Sequence, residues 1–124
     1  MARKKKLMDY LNEFIECGTI QDTATLNGDY KANNKAYKKT EKIFSLAKDN
    51  YDSEEFYLAI LATTVSASAL TTCCAHMMKL KVQSDVARKK LEEIQKNKEY
   101  HPIFRSNVKL FLQEWDKGNI KPIV

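Results

Sequence analysis

The chain has 124 residues, a length typical of one domain with a single hydrophobic core. Three glycines and two prolines are too few turn residues for a β-sandwich or barrel, and this composition favours helices. The formal net charge of +5 indicates either a solvated, lysine-rich surface or a protein with an acidic partner.

Two amphipathic helices are predicted first, at residues 4–27 and 29–49. One face of the first carries Leu7, Leu11, Phe14, Ile15 and Gly18. Because glycine lowers helix stability by about 1 kcal/mol relative to alanine, Gly18 indicates either a break or a close helix contact. Asp29 is predicted to cap the second helix. Its buried stripe is predicted to contain Tyr30, Asn33, Tyr37, Thr40, Phe44 and Ala47.

Two shorter helices are predicted after the turn DNYDSEE at residues 49–55. Asp52 or Ser53 can cap the third helix, whose apolar residues are Phe56, Tyr57, Ile60 and Leu61. The β-branched and hydroxyl-bearing segment TTVSAS, with Ser66 as a cap, predicts that a fourth helix begins there. A single helix over residues 54–80 is the alternative.

The last two predicted helices are separated by the segment KNKEYHP at residues 96–102. Ser84 begins the fifth helix, whose apolar face contains Ala87, Leu91 and Ile94. Pro102 suits the first turn of the sixth helix and Gly118 its end. The stripe predicted for this helix contains Phe104, Val108, Phe111 and Trp115. With a basic lead at residues 1–6 and an irregular tail at 119–124, the chain is predicted to be one all-α domain of about six helices.

The segment TTCCAHMMKL at residues 71–80 is the one candidate for thiol or metal chemistry. At about 100° per residue, its apolar residues form a wide arc, which predicts core packing by cysteine and methionine. We expect Leu70, Cys73 and Met77 to be buried. The alternative is a soft-metal site of Cys73 with His76 or Met77, but a structural zinc needs four ligands. We therefore predict no metal, no cofactor and no catalytic residue.

The chain is predicted to be cytoplasmic. Three cysteines argue against a disulfide framework and favour a reducing compartment. The N-terminal segment has no apolar core of signal-peptide length, and no stretch approaches the roughly 18 apolar residues of a membrane helix. No membrane partner is therefore expected. Nucleotide-binding and hydrolase motifs are also absent from the sequence, so no enzymatic activity is predicted.

Three segments carry a further pattern: GDYKANNKAYKKTEKIFSLAKDN, SASALTTCCAHMMKL, and ARKKLEEI followed by FRSNVKLFLQEWDKG. Together they resemble a bacterial family of small helical proteins, domain of unknown function 2019, related to HEAT and armadillo α-solenoids. The matching positions over about residues 7–119 include Gly28, Asp29, Tyr30, Asn34, Lys35, Glu114, Trp115 and Gly118. The resemblance implies a HEAT-like α-α superhelix without enzymatic activity. Gene neighbourhoods of the family also imply toxin immunity.

In one helix the chain departs from this family. Ser68, Ala69 and Leu70 stand where the family usually has a valine-arginine pair and an aromatic residue. The resemblance therefore implies no arginine-mediated contact at this place.

The sequence predicts a protein-interaction module with an acidic partner protein, in the form of an immunity or regulatory protein. The second helix supplies the predicted surface, at steps of four, three and four residues: Lys31, Lys35, Lys38 and Lys42. The alternative is non-specific nucleic-acid binding by the same lysines together with the basic N-terminus. Stacking on bases and bidentate hydrogen bonds to base edges are disfavoured there, because exposed aromatic residues and arginine are expected to be few. The oligomeric state is left open.

Overall fold

The computed structural model describes residues 6–50 and 52–122, which form six helices and no strand within those ranges. The helices are α1 (Leu7–Asn27), α2 (Tyr30–Asn50), α3 (Ser53–Thr63), α4 (Ala67–Leu80), α5 (Ser84–Lys96) and α6 (Pro102–Asp116). The all-α class is thus confirmed. Most of the predicted basic lead and the end of the predicted tail lie outside the described residues.

Contacts within the chain define two compact units, residues 1–69 and 70–124. The first unit contains α1, α2, α3 and the first residues of α4, and α1 contacts both α2 and α3 there. The second contains the rest of α4 together with α5 and α6, which contact each other. The single domain and the HEAT-like superhelix stay predictions.

The turn between α1 and α2 is formed by the predicted residues. Gly28 ends α1 with φ 70°, in the left-handed region that glycine enters without steric cost. The backbone N–H of Asp29 donates to the carbonyl oxygen of Ala24 at 2.8 Å. The Asp29 carboxylate then accepts from the backbone N–H of Ala32 at 3.1 Å, as a helix cap does.

Gly18 does not interrupt α1, which runs unbroken from Leu7 to Asn27. A Cβ atom at this position would lie 2.5 Å from the Cβ of Ala69 and 3.0 Å from the Oγ of Ser66. The close-contact interpretation of this glycine is therefore confirmed, because only a residue without a side chain fits there.

An aromatic cluster forms the core of the first unit. The Phe14 ring is fully buried, and its centroid lies 4.9 Å from that of Phe44 and 6.2 Å from that of Phe56. Phe56 meets Phe44 edge-on at 6.1 Å, and Tyr57 meets Phe44 at 5.6 Å. Tilted and edge-to-face rings are the favourable arrangements of aromatic pairs, so this cluster contributes more than its buried area.

The predicted stripe of α2 is partly wrong. Tyr30 is 72% exposed and Tyr37 is 43% exposed, although both were expected in the core. The residues that are buried on α2 are Ala36, Thr40, Ile43, Phe44 and Ala47. Small side chains at two of these positions allow close packing, and the helical period places the two tyrosines well to one side of this stripe.

The helices α3 and α4 are separate, as predicted. Asp52 caps α3 by accepting from the backbone N–H of Glu54 at 2.8 Å. The break follows Thr63, and the extended backbone of Thr64 leads to α4 at Ala67.

Asp22 of α1 completes the cap of α4. The predicted capping residue, Ser66, accepts from the backbone N–H of Ala69 at 3.2 Å. Its hydroxyl donates to one carboxylate oxygen of Asp22 at 2.7 Å, and the other oxygen accepts from the backbone N–H of Ser68 at 2.8 Å. A carboxylate at a helix N-terminus is favourable because it meets unpaired N–H groups and the positive end of the helix dipole.

In the second unit, the predicted apolar faces of α4 and α5 are buried, but that of α6 is shifted. Phe104, Phe111 and Trp115 are only partly buried, and the buried residues of α6 are Val108 and Leu112. These two residues are one helical turn apart. The buried strip of α6 is therefore narrow, and the larger rings lie to one side of it. Phe111 and Trp115 stack on each other instead, with centroids 6.1 Å apart. Pro102 begins α6, and Gly118 follows its end with φ 77°, as predicted.

Candidate partner-binding surface

The four predicted lysines form one row on the exposed side of α2. Lys31, Lys35, Lys38 and Lys42 are all exposed. Successive helical positions place them opposite the buried stripe that includes Thr40. The row spans about 16 Å at the helical rise per residue. Among the described residues none of the four forms an ion pair, so their charges are available to a partner.

Charge is unevenly distributed in the first unit. Residues 1–69 contain ten basic and ten acidic residues, so this unit has no net charge. Within it α1 carries four acidic and no basic residues, whereas α2 carries six lysines and two acidic residues. The positive charge of this unit is therefore divided between α2, where the lysine row lies, and residues 1–6, each with an excess of four.

The second unit carries the entire net charge of the chain. Residues 70–124 contain eleven basic and six acidic residues, an excess of five. Sequence reasoning assigned the positive surface to α2 and the basic N-terminus and missed this excess, because the division into units is a tertiary property. The sequence nevertheless contained a signal, because basic residues outnumber acidic residues after position 70.

Exposed tyrosines lie beside the lysine row. Tyr30 and Tyr37 are seven residues apart and share a face of α2, displaced from the row by about a third of a helical turn. Partial burial and the neighbouring Glu41 carboxylate, to which Tyr37 is hydrogen-bonded, raise the pKa of Tyr37. Exposed tyrosines are common in protein interfaces.

A shallow groove lies where α1 meets the start of α2. It has a volume of about 280 Å³ and is lined by Thr19, Ile20, Thr23, Ala24, Asn27, Asp29 and Ala32. The hydrogen bond from the Asn33 amide to the Thr25 hydroxyl, at 3.0 Å, connects the two helices near this groove. No basic side chain lines the groove, and its one carboxylate, that of Asp29, already caps α2. It can accept a neutral side chain of a partner.

The cysteine and methionine segment is core, as predicted. Cys73, Cys74 and Met77 have no exposed surface, and Met78 is also buried. The Cys73 sulfur lies 3.9 Å from the Met77 sulfur. Burial raises the pKa of Cys73 well above its ordinary value and raises that of Cys74 to about 12. Among the described residues no three His, Cys, Asp or Glu side chains are grouped to hold a metal ion. The absence of bound metal stays a prediction.

We expect Cys73 and Cys74 to react slowly with iodoacetamide in the folded protein and rapidly in urea, because only an accessible thiolate is a good nucleophile. Thiol labelling followed by mass spectrometry measures both rates. Since these thiols hold their protons more tightly when folded, stability is expected to fall as the pH rises above about 9, where the unfolded thiols ionise. Rapid labelling of Cys73 in native protein would contradict this assignment.

Comparison of the chain with models of protein families, with curated proteins and with solved structures found no match. The resemblance to domain of unknown function 2019 thus stays a prediction. None of the helices within the described ranges is long and apolar enough to cross a membrane.

Proposed function

We propose that this chain is a protein-interaction module that binds an acidic partner protein through the lysine row of α2. The observation that carries the proposal is the row itself, four exposed lysines without a carboxylate among them on the side opposite the core. Holding four like charges together costs repulsion that an acidic partner would relieve. Rows of this kind guide a charged partner and accelerate its association.

The surroundings of the row support a protein rather than a nucleic acid as its partner. Tyr30 and the exposed Leu26 provide apolar area at the α1–α2 turn, beside the groove. Interfaces combine such apolar and aromatic contacts with a charged rim. The sequence of α2 contains no arginine, so a nucleic acid bound through the same lysines would lack bidentate contacts to its base edges.

We also propose that the module acts in the cytoplasm as an immunity or regulatory protein. None of the three cysteines forms a disulfide and all three are buried, a state suited to a reducing compartment. An immunity or regulatory protein needs one specific, charge-complementary partner, which the lysine row would recognise.

Replacing Lys35 and Lys38 by glutamine is expected to weaken partner binding while leaving the free energy of unfolding nearly unchanged, because exposed charges contribute little to stability. The matched control replaces Lys39 and Lys48, exposed lysines of the same helix outside the row. A photocrosslinking residue at the exposed position of Asn34 would capture the partner from extract of the source organism. Affinities of both variants for the purified partner are then compared by calorimetry.

Equal weakening by both pairs of substitutions would show general electrostatic attraction and count against the row. Binding to a 20-base-pair duplex is measured in parallel at physiological salt, where we expect it to be weak. Sub-micromolar DNA or RNA affinity that is lost with Lys35 and Lys38, and whose salt slope falls by about one per lysine, would favour the nucleic-acid alternative.

A further inference from the structure

A second groove lies in the second unit, between the end of α5 and the first turns of α6. It has a volume of about 260 Å³ and is lined by Gln95, Pro102, Arg105, Ser106 and Lys109. The lining contains a guanidinium, an ammonium, a hydroxyl and an amide, and it contains no carboxylate. Every polar side chain in this groove can donate a hydrogen bond.

The guanidinium of Arg105 has an unused donor. Its Nε atom is shielded from solvent and has no hydrogen-bond partner among the described residues. Buried donors without a partner are rare, because each one loses its hydration without compensation. The guanidinium therefore keeps unused hydrogen-bonding capacity in a side chain that lines the groove.

Three acidic residues of α5 and α6 are engaged with other basic side chains. Asp116 accepts two hydrogen bonds from Arg88, at 2.8 and 2.9 Å, and this contact lowers the pKa of the Asp116 carboxyl. Glu93 lies 4.0 Å from Lys90, and Glu114 lies 3.9 Å from Lys117. No such partner is found within the described ranges for Arg105 or Lys109, in a unit with five excess positive charges.

The backbone N–H groups at the start of α6 do not bind the ligand of this groove. The N–H of Ile103 donates to the Nδ1 of His101 at 3.1 Å, and the N–H of Phe104 donates to the His101 carbonyl oxygen at 3.0 Å. Since these N–H groups are already satisfied, an anion in the groove would be held by side chains. The dipole of α6 adds a favourable field at this end.

We propose that this groove binds a phosphate monoester. Arg105 and Lys109 are one helical turn apart, and a planar guanidinium with an adjacent ammonium matches a doubly charged, multi-oxygen anion better than a single carboxylate. Ser106 and Gln95 supply donors for the remaining oxygens. The groove is larger than a single phosphate ion, which leaves space for the esterified group. This inference does not depend on the lysine row of α2.

Titration of ¹⁵N-labelled protein followed by NMR tests the site. The ligands are O-phosphoserine, inorganic phosphate, serine and glutamate. We expect saturable shifts of the Gln95 side-chain amide and the Ser106 backbone amide with O-phosphoserine, weaker binding of inorganic phosphate, and no response to serine. Arg105→Gln is expected to weaken phosphoserine binding at least about tenfold, because a charge-assisted hydrogen bond is lost.

Lys89→Gln is the matched control, because Lys89 is exposed on α5, six residues before Gln95, and does not line the groove. It should leave the affinity within about twofold, as expected for a screened distant charge. Arg105→Lys keeps the charge but loses the planar fork, and it replaces Arg105→Gln as the test if that variant does not fold. The proposal would be overturned by an absence of saturation, by equal binding of glutamate, or by unchanged affinity in both Arg105 variants.

Discussion

Phe14→Ala is expected to lower the free energy of unfolding by about 3–5 kcal/mol. The Phe14 side chain has no exposed surface, and its ring contacts those of Phe44 and Phe56 in the core of the first unit. Truncation removes the transfer free energy of the ring and leaves a cavity. It also removes two aromatic pairs, each of which contributes about 0.5–1.5 kcal/mol beyond buried area. The loss is therefore expected at the upper end of the range.

Urea unfolding followed by far-ultraviolet circular dichroism measures this change. Tyr30→Ala is the matched control, because it also truncates an aromatic residue but one that is 72% exposed. Its cost should stay below about 1 kcal/mol, as is usual for surface substitutions. A loss below 1 kcal/mol for Phe14→Ala would show that the first unit has no cooperative core around this ring.

The same experiment tests the predicted single domain. Trp115, the one tryptophan of the chain, lies in the second unit, so its fluorescence reports on that unit. If the chain is one cooperative domain, Phe14→Ala shifts the fluorescence and dichroism transitions equally. Separate transitions would show two units that unfold independently.

The sequence predicts the helices well because their signals are local. Asp29, Asp52 and Ser66 each satisfy a backbone N–H only a few residues away, so capping and hydrophobic period place six helices correctly. The cysteine segment is predictable for the same reason, since its wide apolar arc leaves no solvated face for a site.

The choice of buried face is less predictable. Helical spacing placed Tyr37 and Trp115 in the predicted stripes, but the buried positions near them are the smaller Ala36 and Leu112. A helix buries whichever side chains fit the surface it meets, and this surface is formed by residues distant in sequence. Periodicity restricts the choice to a face but does not decide between neighbouring positions.

Contacts between residues distant in sequence cannot be predicted from a local pattern. Asp22 reaches the start of α4 across 44 residues of sequence, and the second groove combines side chains of α5 and α6. The lysine row is different, because one helix supplies all of it. The sequence therefore predicted that row, whereas Arg105 and its unused donor became visible only in the structure.

Gly18→Ala is expected to destabilise the protein by about 1–3 kcal/mol, the usual cost of overpacking. Helix propensity alone predicts the opposite, a gain of about 1 kcal/mol from replacing glycine by alanine within a helix. The added Cβ would lie 2.5 Å from the Cβ of Ala69 and 3.1 Å from its Cα. The Cα belongs to the backbone of α4, so relief requires the helices to separate rather than a side chain to rotate.

Ala69→Gly distinguishes this contact from a general effect on α1. In the unmodified chain it should destabilise the protein by up to about 1 kcal/mol, because glycine is a poor helix former. In the Gly18→Ala background it should instead restore part of the stability, because it removes the Cβ that makes the closest contact. The interaction energy of the two substitutions, measured by urea unfolding of all four proteins, is expected to be about 0.5–3 kcal/mol. Additive effects would mean that α1 and the start of α4 do not meet at Gly18.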